Sequence, residues 1–131
     1  MKFAFITLFI SSFAFANGKA VEAGTYQAID VETKKITATL VIRADKTMNF
    51  KVISPDFTMP EPGCEGNYST EENNFVADLK CPLDFLSQVQ VQIDITKVTA
   101  EGVRSAQGVD VEVMIDALGA DAFLFNLHKI N

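Results

Sequence analysis

Apolar and polar side chains alternate along most of this chain. Ile36, Ala38, Leu40 and Ile42 are set against Lys35, Thr37, Thr39 and Arg43. After Asp45-Lys46 the alternation resumes with Met48, Phe50 and Val52 against Thr47, Asn49 and Lys51. Val89, Val91, Ile93 and Ile95 alternate with Gln88, Gln90, Gln92, Asp94 and Thr96; Val109, Val111, Val113 and Ile115 alternate with Asp110, Glu112 and Asp116. Successive side chains of a strand point to opposite faces. A period of two therefore predicts antiparallel strands with one face on a core and one in water.

With 24–31 at the start and 121–130 at the end, the pattern predicts about eight strands. Glu32-Thr33-Lys34, Ala100-Glu101-Gly102 and Leu118-Gly119-Ala120 read as turns. Ser54–Gly63 holds Pro55, Pro60 and Pro62 and reads as an irregular rim loop. Cys81–Ser87, with Leu83, Phe85 and Leu86, reads as a helical turn that plugs an open end, and Ser105–Gly108 as a bulge or break. No helix of useful length is expected. Consecutive strands joined mostly by hairpins predict an all-β, up-and-down meander barrel, because closure removes exposed strand edges. A two-sheet β-sandwich is the alternative.

Two cysteines, Cys64 and Cys81, flank a polar turn at Glu71–Asn74. A symmetric hairpin about that turn sets Thr70 opposite Phe75, Tyr68 opposite Ala77, Gly66 opposite Leu79 and Cys64 opposite Cys81. Directly opposed strand positions lie about 4.5–5.5 Å apart, within disulfide range. A Cys64–Cys81 disulfide is the expectation, since no Cys-x-x-Cys spacing or zinc-ligand cluster accompanies the pair. The first residues agree with an oxidising destination. Met1-Lys2, an apolar run from Phe3 to Phe15 and Ala14-Phe15-Ala16 have the layout of a secretory signal peptide cleaved after residue 16. The run is too short for a spanning helix, which needs about 20 apolar residues. Residues 17–131 are then a single β-barrel domain, secreted or periplasmic, with no membrane span.

The 131 residues carry 11 Lys+Arg against 17 Asp+Glu, a formal charge of −6. A net-acidic chain without a basic run is not built to neutralise phosphates, so nucleic acid is not an expected partner. Disorder is excluded by an apolar content of 48%.

Gly24-Thr25-Tyr26 near the start and Gly66-Asn67-Tyr68 further on give the chain a resemblance to the calycin-type barrels, the lipocalins and streptavidin-like proteins. Lipocalins open their first strand with Gly-x-Trp, and streptavidin-like barrels carry a similar Gly-x-Tyr on their strands. The resemblance covers the strand order and implies the barrel architecture. It assigns no binding residues.

Reactive chemistry is thin. The single histidine, His128, has no nucleophile-and-carboxylate pattern around it in the sequence. Glu71-Glu72 sits on a hairpin tip, and Asp110, Glu112 and Asp116 share one solvated strand face. Asp116 with Asp121 across Gly119 comes nearest to a calcium site but lacks dense oxygen ligands. Six scattered glycines of the barrel form no phosphate loop. The chain is not expected to be an enzyme, and no cofactor or metal is expected.

Binding remains. An eight-stranded barrel is filled by side chains or holds one small ligand, and a filled core is the expected state here. The leading expectation is an exported, non-enzymatic binding protein for a small apolar molecule or a protein surface; as a carrier it would use Tyr26, Met48, Phe50 and Tyr68. The alternatives are an inhibitor of a secreted protease, presenting Pro60-Glu61-Pro62, and a structural or envelope-associated assembly protein. The last strand, apolar on both faces with Phe125 among its residues, would then pair two copies.

Overall fold

The computed structural model describes residues 21–84, 86–119 and 121–131. The segment 1–16, expected as a signal peptide, lies outside the described residues, as do Phe85 and Ala120. The strands are β1 (Gly24–Asp30), β2 (Ile36–Ile42), β3 (Thr47–Ser54), β4 (Phe57–Thr58), β5 (Cys64–Glu71), β6 (Asn74–Lys80), β7 (Gln88–Asp94), β8 (Val109–Ile115) and β9 (Phe123–Lys129). Each pairs antiparallel with its neighbour. β1 pairs with β2 on one side and β9 on the other, so eight strands close in the order β1-β2-β3-β5-β6-β7-β8-β9. The wall is one closed barrel and not two packed sheets.

The hairpin read from the cysteines is present in register. Thr70 pairs with Phe75, Tyr68 with Ala77 and Gly66 with Leu79. Cys64 and Cys81 form a disulfide with Cα atoms 4.1 Å apart. Glu72 takes the left-handed conformation, φ 54°, that a two-residue turn between right-twisted strands requires. Joints around the wall differ in length. β6 and β7 are paired over seven residues, β7 and β8 over three. Towards the β8–β9 connection the Asp116 carboxylate takes over from the ladder, with Oδ1 accepting from Gln90 N–H at 3.0 Å.

Up-and-down strands give the barrel two ends. One gathers the β2–β3, β5–β6 and β7–β8 connections, and it is closed. Here residues 100–102, expected as a turn, belong to a short helix, α1 (Ala100–Arg104). The Thr99 hydroxyl caps it by accepting from Gly102 N–H at 2.9 Å, while Glu101 and Arg104 suit the dipole at its two ends. Five residues are too few to display a 3.6 period, which is why the pattern hides it. The helix drives Val103 (2% exposed) into the barrel end beside Val98, with Val21 packed against the same core. Burying one such valine stabilises by about 1.5–3 kcal/mol. Arg104 pairs with Glu22, fastening the N-terminal strap across this end.

The other end carries the β1–β2, β3–β5, β6–β7 and β8–β9 connections. Ser54–Gly63 is irregular as expected, except that β4 folds back on Ile53 and Ser54 of β3. In Cys81–Ser87, Leu86 N–H donates to Leu83 O at 3.3 Å, and both leucines pack against the core.

Candidate functional site

Side-chain size along the inward rows divides the interior. Near the closed end the rows carry Tyr26, Ile42, Met48, Phe75 and Ile95, all buried. Towards the other end they carry Ala28, Ala38, Val52, Val91, Val111 and Val113. Large residues fill the first half and small ones leave the second half open. The result is a cavity of about 180 Å³ walled also by Leu40, Phe50, Ile93, Ile115, Phe125 and Leu127, with Leu118 and Phe123 at its mouth. The expectation of a filled core holds for one half of the barrel only.

The wall is almost wholly hydrocarbon. Among the described lining residues Thr37 alone has a polar side chain, and it is already engaged. A bulge inserts Thr37 between the pairs Ala28–Ala38 and Ile29–Ile36, and its Oγ1 donates to Ala28 O at 3.0 Å. Phe123 and Phe125 stack with centroids 6.2 Å apart, forming the β9 side of the mouth. Leu118 is 58% exposed at the rim.

The four residues expected in a carrier site are not brought together. Phe50 lines the cavity. Met48 is fully buried in the packed half, and Tyr26 lies there too, its hydroxyl donating to Glu22 O at 2.7 Å. Burial, reinforced by the Glu22 charge, pushes the Tyr26 phenol up to about 12. Tyr68 stacks on Phe75 at 4.8 Å and donates to Arg43 O at 2.9 Å. Ala28, Ala38, Val91, Val111 and Phe123 line the cavity without having been singled out as ligand contacts. For the two alanines and two valines the signal is small inward residues on neighbouring strands; Phe123 belongs to the apolar run of the last strand.

Pro60, Glu61 and Pro62 are exposed on the rim. They are well anchored: Gly63 N–H donates to Pro60 O at 2.9 Å, Asn49 Nδ2 donates to Pro62 O at 2.6 Å, and Lys51 pairs with Glu61. The same Asn49 Nδ2 donates to Glu65 Oε2 at 2.7 Å, and Arg43 grips Glu65 with two hydrogen bonds of 3.0 and 2.9 Å. The Arg43 hydrogen bond, against some desolvation, holds the Glu65 carboxyl below its ordinary range. Phe125 turns inward onto the cavity, and β9 is paired on both edges. Outward on that strand stands Leu124, 49% exposed.

Among the described residues no three His, Cys, Asp or Glu side chains are grouped to hold a metal ion. His128 pairs across to Gln27 on β1. No family model matches the chain, and no curated protein or solved structure matches it either. The arrangement thus consists of an apolar recess in a disulfide-tied, closed eight-stranded barrel, an architecture consistent with the calycin-like resemblance.

Proposed function

We propose that this chain is an exported binding protein of calycin-like type that takes up a small apolar molecule in the mouth half of its barrel. The observation that carries the reading is the hydrocarbon-lined cavity of about 180 Å³ formed where the inward residues turn small. Burying apolar surface is favourable without any directional partner. A cavity of about 150 Å³ in a protein core takes up benzene. Pockets for drug-sized ligands run from roughly 300 Å³ upward, so the enclosed part of the ligand is small. The disulfide and the apolar leader support an extracytoplasmic location.

Native mass spectrometry of protein purified from its own source tests the reading. An added mass that organic extraction removes is expected, and extracted protein should gain thermal stability with toluene or n-butylbenzene. Protein with no added mass and no response to any alkylbenzene overturns it.

A further inference from the structure

We propose that Leu40, Ile93 and Leu127 form a floor that sets how far a ligand enters, and that the wall above them admits only an unsubstituted hydrocarbon group of about one ring. This rests on the binding function proposed above and adds what the site selects and which residues select it.

Two cavities lie along the barrel axis. The larger, about 180 Å³, opens towards the mouth; the smaller, about 10 Å³, lies among Val21, Tyr26, Ile42, Phe75, Ile95 and Val98. Leu40, Ile93 and Leu127 border both and, among the described residues, are the three side chains common to the two linings. All three are buried, and they come from β2, β7 and β9, so the partition spans the barrel rather than lying on one wall. Below it the large buried side chains Tyr26 and Phe75 leave only that smaller cavity.

The chemistry of selection follows from what the wall lacks. The Thr37 hydroxyl donates its proton to Ala28 O and turns almost no polar surface to the recess, and no charged side chain is among the described lining residues. A hydroxyl or amine carried into this recess gives up its water without gaining a partner there. A polar group on the ligand must therefore remain at the mouth, beyond Leu118 and Phe123. The recess sorts ligands by the shape and length of their hydrocarbon end.

The test uses toluene, its near-isostere phenol, and n-butylbenzene, each titrated into the disulfide-bonded protein and followed by NMR shifts of the cavity methyl groups. Toluene should bind about 100-fold more tightly than phenol, the discrimination an apolar pocket shows against a hydroxyl isostere. Leu40→Ala and Ile93→Ala should each improve n-butylbenzene relative to toluene by about tenfold, because they join the two cavities. Ile42→Ala, which touches only the smaller cavity, should leave that ratio unchanged. Phenol binding as well as toluene, floor variants that leave the ratio unmoved, or Ile42→Ala matching them would each overturn the proposal while the binding function stands. Failure of every probe to bind removes both. The toluene–phenol comparison needs no variant, so loss of folding in a floor variant does not rescue the idea.

Discussion

Ala28 on β1 and Ala38 on β2 are direct cross-strand partners, and both face the cavity. Two methyl groups stand where the next inward pair towards the closed end is Tyr26 and Leu40. That step in size, within two residues on each strand, turns a packed core into a recess.

Ala38→Leu should fill the recess. The added carbons enter an existing space of about 180 Å³, so stability is expected to hold or rise, by about 0.5–2 kcal/mol as cavity-filling changes commonly give. Toluene binding should disappear in the same protein. Urea denaturation together with a binding titration checks both halves.

Gly66 is a position where the wall itself excludes a side chain. A Cβ built there would lie 1.9 Å from Asp78 O, a backbone atom of the paired strand β6. Gly66→Ala should destabilise by about 1–3 kcal/mol through forced backbone displacement. The midpoint of chemical unfolding should fall with its slope unchanged.

Removing the disulfide tests how much the mouth end depends on it. Cys64 and Cys81 are 17 residues apart in sequence. Closing a loop of that length stabilises by about 3 kcal/mol in the chain-entropy account. The double variant Cys64→Ser, Cys81→Ser is expected to lose about that much and retain its β-sheet circular dichroism. An unchanged unfolding midpoint would contradict the expectation.

The pH profile of stability is expected to have two arms. The Tyr26 phenol has its pKa raised by burial, to about 12 from an ordinary 10.0. Above pH 10 the unfolded chain loses this proton before the folded one, so stability should decline from about pH 10 to about pH 12. Tyr26→Phe should flatten that decline. Glu65 is shifted downward by its Arg43 hydrogen bond. Its contribution is present above the ordinary carboxylate range and is lost as pH falls through the lowered value. Glu65→Gln should reduce that acid-side slope, as read by thermal melts across the range.

The wall of the barrel is legible in the sequence because each strand states its own inward face. Val89, Val91 and Ile93 alternate with glutamines, and the same alternation appears in the structure as buried against exposed or half-exposed. Cys64 and Cys81 follow from symmetry about one turn, a local property. The recess is not local. Period two tells whether Met48 and Phe50 point inward, but not their height along the axis, which depends on how eight strands are staggered around the closure. Met48 and Phe50 are adjacent inward residues of one strand, yet Met48 belongs to the packed half and Phe50 to the cavity. Helix α1 escaped for another reason: a single capped turn has too few residues to show a rhythm.

The brief seam between β7 and β8, three paired residues beside seven at its neighbour, is the shortest ladder of the closed wall. Fewer rungs hold the hoop shut along that line, so its backbone amides are expected to exchange with solvent faster than those of the β6–β7 ladder.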